Sequence, residues 1–468
     1  MLQVTYDVFS SKDDRPVHFV GIAGAGMSAL AELFARRGVK VTGCDTNPAG
    51  ARADLAQLGI EVMEGHSPAH VVGARAVVFT SAMGRDHPEL VAARDAGIPV
   101  IRRAEALGAA VSSGDVVGIA GTHGKTTTTV MTTGALRSAG LDPTGIAGGR
   151  VAEWGGNMSF GSDRLFVVEA DEYDRSFLAL DPAVAVVTNV EADHLDIYTD
   201  LADIRATFSR YVSGARAIVL CADDSGANSL DLPATAEVIR YGLNSPDARL
   251  VARDVRPADS GSTFVVFYDG EKKCDVTLRV PGVHNVRNAL AAIGSGIALG
   301  IEPAQMVSGL AEFTGVERRF QRIAEVAGVS IVDDYAHHPT EIAATIEAAR
   351  ATFPGRRLVL AFQPHLYTRT RDFALEFGRA LSGADAIFLT ELYPAREQPI
   401  PGVSSELVER AIASAGGALL WRGERPALAE ALSTEVRPGD VVITVGAGDI
   451  TRTARELRDI LMSSTKST

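Results

Sequence analysis

DVVGIAGTHGKTTTT, residues 115–129, is the stretch on which the reading of the whole chain turns. Residues 116–120 make a short apolar run of the kind buried on both faces of a parallel sheet. The run passes through Gly121-Thr122-His123-Gly124-Lys125-Thr126 into a helical pattern over 126–139. Glycines there let backbone N–H groups converge on phosphate oxygens, and the start of the helix adds its dipole. Lys125 supplies a point charge and Thr126 a hydroxyl for a magnesium ion. The spacing departs from GxxxxGK[ST], because Ile119 stands five before Gly124 and Gly118 one further back. The phosphate-cradle reading therefore rests on strand, loop, Lys-Thr and helix following in order.

Working outward, short apolar runs recur at 17–20, 77–80, 166–168, 184–187, 217–220, 358–361, 386–389 and 441–445. Helical patterns lie between many of them, at 27–37, 341–351 and 373–381, and this alternation predicts an α/β protein built on parallel sheets. A second glycine turn, residues 21–29, carries GxGxx(G/A) at Gly24, Gly26 and Ala29, with Asp45 at the end of the next strand. That fingerprint fits a dinucleotide or another diphosphate such as a UDP-sugar. Two such turns suggest two nucleotide-binding domains. The small polar stretch 110–115 and the stretch FTGVERRF at 313–320 mark boundaries, giving domains 1–112, 113–317 and 318–468.

Acidic residues follow two further strands, Glu169-Ala-Asp171-Glu172 and Asn189-Val-Glu191-Ala-Asp193-His194. Ligands of open parallel sheets gather at strand carboxyl ends, so Glu169 and His194 are candidates to complete a magnesium site with Thr126, although magnesium prefers oxygen donors. Asn285 and Asn288, at the start of an alanine-rich helix, suit either base and ribose contacts or helix capping. Asp333-Asp334-Tyr335-Ala336-His337-His338-Pro339-Thr340 joins an apolar strand to a helix with proline at a plausible first position, and serves acid/base chemistry or capping equally well. In residues 362–371, His365, Arg369 and Arg371 suit a carboxylate. Gly446-Ala-Gly448-Asp449 repeats the strand–glycine–helix form.

The 468 residues are about three times a modal domain of roughly 150, enough for several cores without disulfide staples. A net charge of −13 disfavours nucleic acid and anionic membrane surfaces as partners and favours small molecules. The three cysteines, Cys44, Cys221 and Cys274, show no CxxC or metal-like spacing and suit a reducing compartment. With no signal-like start and no apolar run long enough to span a bilayer, the expected location is the cytoplasm, without membrane insertion.

In order, GIAGAGMSAL, GTHGKTTT, EADEYDRSF, NVEADHLD, PGVHNVRNALAA, GVERRF, DDYAHHPTE, FQPHLYTRT and GAGDI resemble the motifs of the Mur ligase family, from Gly21 to Asp449. The resemblance implies three domains: an N-terminal Rossmann-like domain for a UDP-sugar, a central P-loop ATPase with a parallel sheet, and a C-terminal Rossmann-like domain for an amino acid. It implies an ATP- and Mg2+-dependent ligase that joins L-alanine to UDP-N-acetylmuramate through an acyl phosphate, the first stem-peptide step of peptidoglycan synthesis. The alternative is a ligase that recycles a murein tripeptide onto the same UDP-sugar; the tyrosine and glutamate of DDYAHHPTE lean to the alanine enzyme. Intact Lys125, Thr126, Glu169 and His194 speak against a binding protein without chemistry.

By the same resemblance, Gly121, Thr122, Gly124, Lys125, Thr126 and Thr127 bind ATP, with Asn285 and Asn288 on the adenine side, Arg319 on the phosphates and Asp334 on the ribose. Thr126 and Glu169 hold one magnesium, and His194 a second near the carboxylate; Lys125, Glu169 and His194 form the catalytic set. Gly24, Gly26, Met27, Asp45 and Ser81 hold the UDP-sugar, with Ser176 and the Gly148-Gly149 loop by the muramoyl group. Tyr335, His337, His365 and Arg369 surround L-alanine, Arg369 taking its carboxylate. Two positions depart from the family pattern: Leu366 replaces an arginine of FQPHRYTRT, and Tyr173 a serine of EADESD. The oligomeric state is open.

Overall fold

The computed structural model describes residues 9–80, 83–258, 261–395 and 397–465. Three sheets follow one another along the chain. In the first, β1 (Val17–Val20), β2 (Val41–Asp45), β3 (Glu61–Glu64), β4 (Ala76–Phe79) and β5 (Val100–Arg102) run parallel in the order 3-2-1-4-5. The helix Ala25–Arg36 covers one face through Leu30, Leu33 and Phe34. Leu90 and Ala93 of the helix Pro88–Asp95 cover the other.

The second sheet has ten strands: β6 (Asp115–Ala120), β7 (Pro143–Val151), β8 (Gly156–Ser159), β9 (Ser162–Glu169), β10 (Val184–Val187), β11 (Ala217–Cys221), β12 (Glu237–Gly242), β13 (Leu250–Ala258), β14 (Gly261–Tyr268) and β15 (Glu271–Leu278). Their order is 15-14-13-12-11-10-6-9-7-8. Parallel pairing runs from β13 to β7, and antiparallel strands are added at both ends. These additions did not announce themselves as buried apolar runs: β14, GSTFVVFY, alternates between buried and half-buried positions, as a strand covered on one face does. Chain order reverses at β6 and β10, which puts the loops after both strands side by side.

The third sheet comprises β16 (Gln321–Val326), β17 (Val329–Asp334), β18 (Leu358–Phe362), β19 (Ala386–Thr390), β20 (Leu419–Gly423) and β21 (Val441–Val445), in the order 16-17-21-18-19-20, with only β16 antiparallel. The α/β class and the apolar strands are as the sequence predicts. One helix is longer than its pattern: 373–381 belongs to Tyr367–Leu381, and Phe373 departs from helical geometry at φ −120°. The break hides the periodicity of the first two turns. Among the described residues no helix is long and apolar enough to cross a membrane.

The cradle helix Lys125–Ser138 packs against Pro303–Glu312 with their backbones touching at Gly134 and Gly309. A methyl group on Gly309 would collide with the Gly134 carbonyl, whereas one on Gly134 would stand 3.6 Å from the Gly309 carbonyl, an ordinary contact. Gly309→Ala is therefore expected to lose about 1–3 kcal/mol in urea unfolding. Gly134→Ala should stay within about 1 kcal/mol of wild type or gain, because alanine is the better helix former. Equal losses in the two variants would refute this packing.

Candidate active site

The loop after β6 is shaped by two glycines at positive φ, Gly121 at 138° and Gly124 at 81°. The neighbouring strand end fixes it. Thr122 N–H donates to Asn189 O at 3.1 Å, His123 N–H to Asn189 Oδ1 at 2.8 Å, and Thr188 Oγ1 to His123 O at 2.6 Å. Glu191 N–H donates to Thr122 Oγ1 at 2.9 Å, so this hydroxyl serves the loop itself. A side chain on Gly121 would run into Thr188, and one on Gly124 would sit 2.7 Å from Asn288 Oδ1, which explains both glycines.

Lys125 folds back under this loop. Its Nζ donates to Gly121 O at 2.6 Å, to Thr122 O at 3.2 Å and to Glu172 Oε1 at 2.9 Å. Burial opposes the charged ammonium, but the Glu172 carboxylate overrides it and holds the pKa above its ordinary value. A cavity of about 340 Å³ opens beyond, between the second and third sheets. Gly124, Thr126, Thr127, Asn285, Asn288, Arg319 and Asp334 line it. Of the expected ATP set, Gly121, Thr122 and Lys125 are not among the residues that line it.

Details of the lining differ from capping readings. Asn285 is inside the helix Val283–Ala298, capped by Gly282, and donates from Nδ2 to Pro281 O at 2.7 Å, while Asn288 Nδ2 donates to Asn285 Oδ1 at 3.2 Å. Asp334 accepts Phe320 N–H at 2.8 Å and Ala336 N–H at 2.7 Å; burial raises its pKa to about 6. His338 caps the helix Pro339–Thr352, with Pro339 at its first turn.

Glu169 accepts Gly148 N–H at 2.5 Å, and Gly149 lies over the Thr126 methyl. Gly148 and Gly149, in β7, thus lie between Glu169 and Thr126, against the cradle. His194, at φ 53°, reaches 3.7 Å from Glu172 Oε1 and 3.8 Å from Asp193 Oδ2, so Glu172 stands between it and Lys125. The ring of Tyr173 packs edge-on against His194 at 5.1 Å.

Tyr335, His337, His365 and Arg369 come together. Ring centroids of Tyr335 and His337 are 5.0 Å apart and those of His337 and His365 6.1 Å; Arg369 Nη1 lies 3.5 Å from His365 Nδ1. Burial pushes His337 down to about 3, so its imidazole is neutral at pH 7. Arg369 is a paired cation rather than an open one. It is 5 % exposed and donates from Nη2 and Nε to Asp193 Oδ1 at 2.7 and 3.2 Å. A buried guanidinium requires such a counter-charge, and Arg369 in turn holds the buried Asp193 well below the usual carboxylate range. Leu366 is buried at φ 70°, filling core where a cation was expected.

At the first glycine turn, Asp45 Oδ2 accepts Ala23 N–H at 3.0 Å and Oδ1 accepts Asn47 N–H at 2.9 Å. Gly26 lies under the Arg103 guanidinium, which faces Asp171 at 3.9 Å. The Met27 side chain is core, 2 % exposed, so only its backbone faces the turn. Ser81 lies outside the described residues. Ser176 sits in the turn Tyr173–Ala179, whose Asp174 pairs with Arg102 at 3.4 Å. A cavity of about 420 Å³ adjoins this region, lined by Ala23, Ser28, Asn47, Asp54, Arg150 and Trp154 among others.

The partners that sequence reasoning missed are carboxylates. Besides Glu172 and Asp193, Glu191 and Glu341 grip His123 at 3.6 and 3.2 Å, Thr340 Oγ1 donates to Glu191 at 2.6 Å, and Arg319 lies 3.5 Å from Glu341. This latch joins the second sheet's loops to the third sheet's first helix. Each acid stands in a strand-end motif, and the signal available was that every expected buried cation needs an anion nearby.

Models of Mur ligase domains match residues 16–114 (Mur ligase family, catalytic domain), 119–296 (Mur ligase middle domain) and 318–448 (Mur ligase, glutamate ligase domain). A UDP-N-acetylmuramate–L-alanine ligase of Acidothermus cellulolyticus is 46% identical over 438 residues, 92% of this chain and 91% of the relative. Among solved structures, a UDP-N-acetylmuramate-alanine ligase of Thermotoga maritima is 29% identical with a TM-score of 0.81, covering 96% of this chain and 100% of that one. A murein peptide ligase of Psychrobacter arcticus is 25% identical with a TM-score of 0.71, covering 96% and 98%. With its three sheets, its phosphate loop and matches along nearly its full length, the chain belongs to the Mur ligase family.

Proposed function

We propose that the chain joins L-alanine to the lactyl carboxylate of UDP-N-acetylmuramate, with ATP converted to ADP and phosphate, in the first stem-peptide step of peptidoglycan synthesis. The observation that carries this reading is that Gly124, Thr126 and Thr127 of the cradle line a cavity that the third sheet closes with Arg319 and Asp334. The 46% identity to an alanine-adding relative and, among solved structures, the TM-score of 0.81 to an alanine ligase against 0.71 to a murein peptide ligase favour alanine over a tripeptide. The three sheets support domains at 1–112, 113–317 and 318–468.

In this reading the cradle amides and Lys125 take the β- and γ-phosphates, and Asn285 and Asn288 face the adenine side. Arg319 lies toward the phosphates and Asp334 toward the ribose. The lactyl carboxylate displaces ADP from the γ-phosphorus to give an acyl phosphate. The amine of alanine then adds to the acyl carbon, and phosphate leaves as the amide forms, the amine's proton passing to solvent or a nearby base. The neutral imidazole of His337, with Tyr335 and His365, surrounds the amino acid, and Arg369 reaches its carboxylate only by sharing or leaving Asp193. Positioning and charge neutralisation supply most of the catalysis.

The Thr126 hydroxyl and Glu169 carboxylate, hard oxygen donors flanking Gly148 and Gly149 of β7, fit Mg2+, which when bound neutralises phosphate charge; His194 is the candidate to hold a second ion near the carboxylate. The first glycine turn with Asp45 takes the UDP-sugar, and we place the enzyme in the cytoplasm.

Phosphate release should be measured with ATP, Mg2+ and UDP-N-acetylmuramate, in parallel with L-alanine, L-serine, glycine and the murein tripeptide. Release with L-alanine is expected, and Lys125→Ala should lower kcat by roughly a hundredfold or more. Release with the tripeptide alone would move the chain to the recycling reaction.

The latch adds a pH dependence. Burial works against the charge of His123, but Glu341 and Glu191 raise its pKa from 6.5 to about 9. Its contribution to holding the second and third sheets together is complete below pH 6.5 and lost as pH rises through about 9. By NMR, the His123 ring is expected to titrate near 9 in the wild type and closer to 6.5 in Glu341→Gln. A wild-type ring titrating at 6.5 or below would remove the ion pair from the latch.

A further inference from the structure

Far from the ATP cradle, on the face of the first sheet opposite the helix Ala25–Arg36, five metal-ligating side chains crowd around one buried carboxylate. Glu89, in the first turn of the helix Pro88–Asp95, has no exposed surface, and among the described residues its ion-pair partners are histidines alone. Cys44 Sγ, at the end of β2, lies 3.2 Å from Glu89 Oε2, and His70 Nδ1 lies 2.8 Å from Oε1. His18, on β1, is also fully buried. Its Nδ1 meets Thr42 Oγ1 at 3.0 Å, while its Nε2 is buried without a hydrogen-bond partner among the described residues.

One ligand atom from each of His18, Cys44, His70 and Glu89 lies within 4.8 Å of the other three. We propose that these four residues form a binding site for a divalent transition-metal ion of the zinc class, separate from the nucleotide cradle and independent of the ligase reading.

Three features specify the ion. The donor set, one sulfur, two nitrogens and one oxygen, is that of tetrahedral zinc and not of magnesium or calcium. Bonds of roughly 2.0–2.3 Å place tetrahedral ligands roughly 3.4 Å apart, so the cluster closes on an ion by moving about 1 Å at its widest. Charge also balances: a dication with one thiolate, one carboxylate and two neutral imidazoles is neutral, as suits a site walled by Val20, Val77, Phe79 and Leu90. The Cys44 thiol gives its proton to solvent as the sulfur–metal bond forms.

The Thr42 hydroxyl facing His18 Nδ1 is the outer partner that orients a ligating imidazole. His66 and His87, with side chains 18% and 17% exposed, stand at the rim and share Glu89, marking an entry path. The Cys44 carbonyl accepts Gly21 N–H at 2.8 Å and Ile22 N–H at 3.1 Å, so an ion held on Cys44 braces the first glycine turn.

The test is titration of the EDTA-treated full chain with Co2+ in excess Mg2+, which occupies hard oxygen sites. The expected result is about one equivalent bound with a thiolate-to-cobalt charge-transfer band that Zn2+ abolishes. Cys44→Ser should lose the band, the Cys221→Ser/Cys274→Ser double variant should keep it, and His70→Gln should weaken Co2+ binding about tenfold or more. Circular dichroism of each variant checks folding. No band with the folded wild type, or a band that survives Cys44→Ser, overturns the proposal.

Discussion

A buried cation cannot stand without an anion, and the site between the second and third sheets is organised by that constraint. Lys125 leans on Glu172, Arg369 on Asp193, and Arg319 and His123 on Glu341. Each pair joins separate segments of the chain, and Arg369 with Asp193 and His123 with Glu341 cross between the second and third sheets. Removing one partner of such a pair costs about 3–5 kcal/mol, because the other charge remains in low dielectric. Anionic substrates entering here meet cations already held by internal carboxylates, and binding becomes an exchange of counter-charges rather than a filling of empty positive sites.

Parallel strands make this exchange possible. Every parallel strand delivers its carboxyl end to the same edge, so the loops after β6, β9 and β10 bring Lys125, Glu172 and Asp193 together although they are far apart in sequence. The third sheet presents its own strand ends, with Asp334, His337 and His365, toward the same space.

What was legible in the sequence is what is local. The cradle Gly121–Thr126, its strand and its helix are contiguous, so residue order alone reveals them. Arg369 was legible as a cation but not as a partner of Asp193, because that pairing spans the interface between two sheets and 176 positions of sequence. The antiparallel strands β14 and β15 escaped because one-sided burial breaks up their apolar runs. Cys44 shows no metal-like spacing, because His18, His70 and Glu89 fold onto it from three other elements.

The first and second sheets share one continuous hydrophobic cluster, running from Phe19 and Phe34 through Leu107 to Phe166, Phe177 and Phe208. Gly108 lies so close to Ala179 that a methyl group there would strike its carbonyl. The clusters of the third sheet contain none of these residues. The molecule is therefore lopsided: its first two sheets share one apolar core, and the third meets the second across the cavity through ion pairs and hydrogen bonds. A drug-like wedge in that seam would act as a doorstop, blocking turnover without touching the fold of either side.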